Sequence, residues 1–209
     1  MEEKDRRTFS CADCGLKGCR KGDGKTPPFC PGDSMPEGLL EEAMAEYEKE
    51  EVRRLTVAAA EVEAENYCRM NRVQEIMEFA RKIGAEKIGI ATCIGLLEEA
   101  GIAARIFRKN GFEVFTVSCK CGKQLKVSVG IPEACEVVGK NMCNPVLQAK
   151  YLNAEKTQLD VVIGLCVGHD SLFYRYAEAP VTTLVTKDRV LGHNPVVALY
   201  QADKYMKLL

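Results

Sequence analysis

Residues 159–170 read LDVVIGLCVGHD and join an apolar run to a polar end. The run VVIGL, residues 161–165, lacks polar alternation, which is typical of a parallel strand that is buried on both faces. Cys166 follows it directly, and His169 comes three residues later. Because ligands of open α/β sheets bind beyond the carboxyl ends of the strands, this stretch predicts a fold class and a site together.

Three other segments have the character of strands and alternate with helical patterns. The strands are KIGIAT (87–92), FEVFTVS (112–118) and VTTLVT (181–186), and the helical patterns cover 94–109 and 145–155. A capping box, Asn71-Arg-Val-Gln74, predicts a helix before the first strand, and a last helix is expected to begin at Asn194-Pro195 with the Asn side chain as its cap. This order predicts an α/β fold with a doubly wound, mainly parallel four-strand sheet and helices on both faces.

Composition divides the chain into three regions. Residues 1–35 are rich in Cys, Gly, Pro and Lys and predict a small cysteine-rich metal knuckle. Residues 36–70 predict a helical connector, opened by a capping box at Ser34-Met-Pro-Glu37 and acidic on its outer face. Residues 71–209 form the predicted α/β domain.

Charge and hydropathy limit the classes of protein to which this chain can belong. The formal net charge of −1 gives no general attraction to nucleic acid or to anionic lipid. The start, MEEKDRRTFS, is too charged for a signal peptide, and no apolar run approaches the ~18 residues that span a bilayer, so a cytoplasmic protein is expected. In that reducing compartment, an odd count of 11 cysteines indicates metal ligands or reactive thiols rather than a disulfide framework.

The first group of thiols has the spacing Cys-x2-Cys-x4-Cys-x10-Cys-Pro and consists of Cys11, Cys14, Cys19 and Cys30. Four thiolates so close in sequence can complete a tetrahedral site. Two metals fit this pattern. Structural zinc is one, although only one Cys-x2-Cys pair is present. An iron–sulfur cluster is the other, since proline follows the remote fourth cysteine.

The second group of thiols falls at the predicted strand ends together with both histidines of the chain. Its members are Cys93, Cys119, Cys143, Cys166, His169 and His193. One interpretation is a second metal centre held by the four cysteines, with His169 as a substitute ligand. The other is a small-molecule pocket in which Cys166, His169 and His193 are catalytic, His169 folding over the strand end beside Cys166. Cys68, Cys121 and Cys135 fit neither site and are expected to be structural thiols.

Four longer motifs carry a resemblance to a known family. They are CADCGLKGC with the later FCP, EKIGIATCIGLLEEA, CNPVLQAKYLN, and GLCVGHDSLFYRYAEAPVTTLVTKDRVLGHNP. Over nearly its whole length the chain resembles the family known as domain of unknown function 1847. The resemblance implies metal binding, because the family is called metal-binding from its cysteines, but it implies no activity. Its members are typical of anaerobic bacteria and archaea, which favours iron–sulfur chemistry.

Three functions remain open on these grounds. The first is a redox or metal-handling protein in which the knuckle and the strand-end site exchange electrons or ions, with a redox partner. The second is an enzyme that acts on a small-molecule ligand through a strand-end thiolate and keeps a structural metal in the knuckle. The third is a zinc-stabilised interaction module that uses the acidic helix.

Overall fold

The computed structural model describes residues 9–22 and 24–208. Residues 1–8 and Asp23 of the predicted knuckle, and the C-terminal Leu209, lie outside the described residues. The chain divides into two compact units, the first ending at Thr56 and the second beginning at Val57. The three regions predicted from composition stay a prediction.

A four-stranded sheet forms the centre of the second unit. Its strands are β1 (Lys87–Thr92), β2 (Glu113–Ser118), β3 (Leu159–Ile163) and β4 (Val181–Val185). All neighbouring strands are parallel, and their order across the sheet is β2-β1-β3-β4. The predicted four-strand parallel sheet is confirmed. Because the chain leaves β1 toward β2 on one side and later returns to β3 on the other, the topological switch point lies between β1 and β3.

Eight described α-helices precede the first strand in sequence, connect the strands or follow the last one. They are α1 (Gly18–Lys21), α2 (Leu39–Glu46), α3 (Glu50–Asn66), α4 (Arg72–Lys82), α5 (Leu97–Lys109), α6 (Pro145–Ala154), α7 (His169–Tyr176) and α8 (Val196–Tyr200). Since parallel crossovers are right-handed, α5 lies on one face of the sheet, and α6 and α7 lie on the other, where they pack together. Among the described helices, none has both the length and the apolar character that crossing a membrane requires.

The start of α4 follows its sequence signal. The backbone N–H of Gln74 donates to Asn71 Oδ1 over 3.2 Å, and the backbone N–H of Asn71 donates to Gln74 Oε1 over 3.0 Å. Both halves of the predicted capping box are therefore present, and the prediction is confirmed.

Two other predicted helix starts are wrong. Ser34 caps no helix; its hydroxyl donates to the carbonyl of Cys30 over 3.1 Å, and α2 begins only after Gly38, whose φ of 80° cannot continue a helix. At the other end α8 begins at Val196 without a side-chain cap. There the backbone carbonyl of Asn194, not its side chain, accepts a bond from the Val197 N–H.

Strand β3 is the most buried strand and ends earlier than predicted. Gly164, with a φ of 65°, turns the chain out of the sheet directly after Ile163, and Leu96 fills the space where a side chain at Gly164 would lie. The predicted strand ended at Leu165. Cys166 therefore lies in a loop rather than at the strand end itself, which changes its neighbours.

Candidate functional site

Two cysteines follow the neighbouring strands β1 and β2 in register. Thr92 of β1 pairs with Ser118 of β2, so Cys93 and Cys119 are the next residues after these two adjacent strands. The backbone N–H of Cys119 donates to the carbonyl of Thr92 over 2.8 Å, and the N–H of Cys93 donates to that of Ile163 over 3.1 Å. Only 6% of Cys93 and 3% of Cys119 is exposed. The two thiols thus lie side by side, buried at the carboxyl ends of β1 and β2, and Cys93 borders the switch point.

A third cysteine reaches this pair through the cap of α6. The side chain of Asn144 accepts a bond from the Leu147 N–H over 2.9 Å, and Pro145 occupies the first turn of the helix. The backbone N–H of Asn144 in turn donates to the carbonyl of Cys119 over 2.8 Å. This bond fixes Cys143, which is half-buried, next to Cys119.

Backbone N–H groups point at two of the sulfurs. A short 3₁₀ turn, Ile94–Leu96, follows β1. The N–H of Ile94 donates to Cys119 Sγ over 3.3 Å, and the N–H of Gly95 donates to Cys93 Sγ over 3.4 Å. Such donors stabilise negative charge on sulfur, so the turn favours thiolates at this place.

The three thiols share their charge unequally. Hydrogen bonding with Cys119 lowers the pKa of Cys93 to about 5, with help from the Gly95 N–H and the positive charge of Lys187. Hydrogen bonds with Cys119 and then His169 lower the pKa of Cys143 to about 4. Interaction with Cys143, and then with Cys93, raises the pKa of Cys119, which lies between them. The cluster therefore favours a protonated thiol at Cys119 and thiolates at Cys93 and Cys143.

His169 belongs to this cluster, but through a different cysteine than the sequence predicted. Interaction with the Cys143 thiol raises the pKa of His169. Cys166, its predicted partner, accepts a hydrogen bond from Arg189 Nη2 at 3.1 Å instead. Only backbone atoms join the two residues, since the His169 N–H donates to the Cys166 carbonyl over 2.9 Å. No Cys166–His169 side-chain hydrogen bond is found among the described residues, and their predicted side-chain pair stays a prediction.

Positive charges around the thiols were not assigned from the sequence. The hydrogen bond to Cys166 Sγ, and more weakly the charges of Cys93 and Cys143, raise the pKa of Arg189. Lys187 acts on Cys93, and Lys120 acts on Cys143. The triplet Lys187-Asp188-Arg189 follows β4, but no spacing rule says which thiol a long basic side chain will reach.

His193 has a local role. Its Nδ1 accepts a hydrogen bond from the backbone N–H of Asp188 over 3.1 Å, and the backbone N–H of His193 donates to the Asp188 carbonyl over 2.8 Å. With a φ of 66° it closes a turn after β4. Within the described part of the chain, none of its hydrogen bonds reaches a thiol of the site. A catalytic role for His193 stays a prediction.

The three cysteines set aside as structural are not all packed. Cys121 is half-buried beside the edge strand β2, whereas Cys68 and Cys135 are exposed. Burial therefore explains neither Cys68 nor Cys135.

The N-terminal cysteines come together in the first unit. Cys11, Cys14, Cys19 and Cys30 all line one cavity of about 130 Å³. Tight turns position them: the N–H of Cys14 donates to the Cys11 carbonyl over 3.3 Å, and the N–H of Cys30 donates to the Pro27 carbonyl over 2.9 Å. All four are free thiols.

The donor chemistry of both places fits a soft metal, because thiolate and imidazole are the ligands of zinc and of iron–sulfur clusters. Within residues 9–22 and 24–208, however, no three His, Cys, Asp or Glu side chains are already arranged to hold a metal ion. A metal at either place would require its ligands to turn toward a common centre. Both predicted centres stay predictions.

Two comparisons relate the chain to known proteins. Residues 30–184 match the family described as "Protein of unknown function (DUF1847)". Those residues include every strand-end thiol and His169, but only Cys30 of the N-terminal four. The chain is also 41% identical over 208 residues to an uncharacterized protein of Methanocaldococcus jannaschii, a match that covers 96% of this chain and 98% of that protein. The resemblance seen in the sequence motifs is confirmed: the chain belongs to the DUF1847 family.

Proposed function

We propose that this protein binds one metal centre through Cys11, Cys14, Cys19 and Cys30 and works as a redox or metal-handling protein in the reducing cytoplasm. The observation that carries the proposal is that these four thiols, spread over 20 residues, line one small cavity. Separate exposed thiols in a polar loop would have no reason to face a common space.

The lack of an apolar core around this cavity supports a metal. Among described residues 9–22 and 24–56, no large apolar side chain is buried. Phe9 is 54% exposed and Leu16 is 48% exposed, and the stacked rings of Phe9 and Phe29 stand in place of a core. A segment this short gains little from hydrophobic burial, so a metal–thiolate centre would supply the folding free energy.

Zinc and an iron–sulfur cluster both fit four thiolates. A zinc centre would supply structure alone, since zinc has no redox chemistry, whereas an iron–sulfur cluster would supply one-electron transfer. Lys17 and Arg20 lie between the ligands in sequence and would offset part of the negative charge of either centre.

Metal and sulfide analysis of anaerobically purified protein tests the proposal. We expect about one centre per chain at this site. Visible absorption with acid-labile sulfide would identify an iron–sulfur cluster, and colourless protein with zinc would identify a structural site. Protein that contains neither metal after anaerobic purification would contradict the proposal.

The strand-end thiols favour a second candidate function, an enzyme that uses a thiolate on a small molecule. The supporting observation is that Cys143 is half-buried, has a lowered pKa and lies beside Cys119 at the carboxyl ends of the strands, the edge at which doubly wound sheets bind ligands. Covalent labelling of Cys143 by a small electrophile tests it. If the exposed Cys68 reacts faster than Cys143 at pH 6, this candidate fails.

A further inference from the structure

Cys119 lies between two other thiols on three neighbouring chain segments. We propose that Cys119 and Cys143 form a reversible disulfide by exchange with an external disulfide, so that the strand-end site carries two electrons as a dithiol. This inference rests on the proposed redox role and goes beyond it, because it assigns an activity to the thiols outside the N-terminal centre.

Backbone geometry brings the sulfurs within reach of each other. The backbone N–H of Asn144 donates to the carbonyl of Cys119. Because Asn144 directly follows Cys143, this bond holds the backbone of Cys143 beside that of Cys119. Cys93 follows β1 in register with Cys119, and paired parallel strands lie roughly 4.8 Å apart, within the Cα separations that disulfides span. Both neighbouring thiols act on the pKa of Cys119, which places the three sulfurs close together. A small rotation about its side-chain bond would therefore reach either one.

Exposure decides which thiol meets the external disulfide. Cys93 and Cys119 are buried, whereas Cys143 is half-buried. Cys143 also contacts His169, the first residue of α7. An incoming disulfide therefore meets Cys143 first, and the buried Cys119 is placed to resolve the product.

The exchange balances in two steps. The Cys143 thiolate attacks one sulfur of the external disulfide R–S–S–R; a bond from Cys143 to that sulfur forms, the R–S–S–R bond breaks, and one R–S⁻ leaves. Cys119 then gives up its proton and attacks the sulfur of Cys143, which forms the Cys119–Cys143 bond and releases the second R–S group with that proton. The protein is oxidised by two electrons, and the external disulfide is reduced to two thiols.

Cys93 takes no part in this exchange. The Gly95 N–H donates to its sulfur, and Lys187 supplies a positive charge beside it, so its thiolate is held in place inside the sheet edge. It is expected to remain a thiol in the oxidised protein.

Peptide mapping of the full chain tests the inference with oxidised glutathione as the probe. The protein is reduced, treated with oxidised glutathione, alkylated and digested with trypsin. Lys120 and Lys140 place Cys119 and Cys143 on separate tryptic peptides, so their disulfide is directly visible. We expect a Cys119–Cys143 cross-link, an alkylated Cys93, and no glutathione retained on Cys143. In Cys119→Ala, glutathione should remain attached to Cys143, and Cys68→Ser, which changes an exposed thiol away from the strand ends, should behave like the parent chain.

Two results would overturn the inference. One is wild-type protein that retains glutathione on Cys143 without a Cys119–Cys143 cross-link. The other is a cross-link between Cys93 and Cys119. The wild-type map decides the question even if the buried substitution prevents Cys119→Ala from folding. Metal analysis and the peptide map of Cys14→Ser together separate this inference from the proposed function. This variant should lose the N-terminal metal but still form the Cys119–Cys143 cross-link.

Discussion

His169 lies beside Cys143, and their side chains shift each other's pKa, although Cys166 is the cysteine nearest to His169 in sequence. The pair joins the first residue of α7 to the residue that precedes the cap of α6. Helices α6 and α7 pack together on one face of the sheet, so their first residues approach each other above the strand ends. Cys119 lowers the pKa of Cys143 most, and His169 lowers it further, because an imidazolium and a thiolate stabilise each other's charged forms. The same pairing raises the pKa of His169.

Cys143 should remain reactive in acid. Because its pKa is lowered to about 4, it is a thiolate throughout the range from pH 5 to 8, and its alkylation should slow only as the pH falls through about 4. His169→Gln removes the positive partner and raises the pKa of Cys143, so the rate at pH 5 should fall. Alkylation of metal-depleted, reduced protein, followed by mass spectrometry of the Cys143 peptide, measures this.

The other histidine provides the matched control. His193 bonds only to the backbone of Asp188 among the contacts described above, so His193→Gln should leave the Cys143 rate at pH 5 unchanged. Equal rates in His169→Gln and wild type would show that the imidazole does not act on this thiol.

Gly164 should be intolerant of a side chain. Alanine there would have to adopt a φ of 65°, and its Cβ would collide with the buried side chain of Leu96. We expect Gly164→Ala to lower the free energy of unfolding by about 2–4 kcal/mol in urea titrations. Gly101→Ala is the control, because Gly101 lies within α5 and a Cβ there makes only ordinary contact with Arg105. Gly101→Ala should raise the free energy of unfolding by about 0.5–1 kcal/mol. Equal effects of the two substitutions would mean that Gly164 does not end β3 as described.

Asp160 should make stability depend on pH. It is fully buried on β3, its Oδ1 accepts a 2.7 Å hydrogen bond from the Thr157 hydroxyl, and no described residue hydrogen-bonds to its Oδ2. Burial raises its pKa from 3.8 to about 6, so the unfolded chain loses this proton first as the pH rises. Stability should therefore fall between about pH 4 and 6, by as much as about 3 kcal/mol, and stay level above that. In urea titrations, Asp160→Asn should remove this fall in the free energy of unfolding between about pH 4 and 6, whatever its effect on absolute stability. An unchanged pH dependence would assign the fall to other groups.

The sheet could be predicted because its signal is local. The apolar runs of β1 and β3 and the capping box at Asn71 act within a few residues, and the structure follows them. Errors arose where a single residue overrides the pattern. Gly164 ends β3 two residues early, and Gly38 delays α2, because each adopts a positive φ that no apolar pattern encodes.

The site could be predicted only in part, for the same reason. Strand-end position follows from topology, so Cys93 and Cys119 could be expected at one edge of the sheet. Pairing of side chains depends on loop paths and long side chains, which spacing does not determine. Thus Arg189 reaches Cys166 from the loop after β4, and His169 turns to Cys143.

The most direct test of the central claim is the metal content of Cys14→Ser relative to the wild-type chain, both purified anaerobically. Cys14 is one of four thiols that line the N-terminal cavity, so its loss should remove about one centre per chain and leave residues 9–35 sensitive to protease, while the sheet remains folded. Cys68→Ser, which removes an exposed thiol outside that cavity, should keep the wild-type metal content. The same metal-to-protein ratio in Cys14→Ser and wild type would contradict the assignment of a metal centre to these four cysteines.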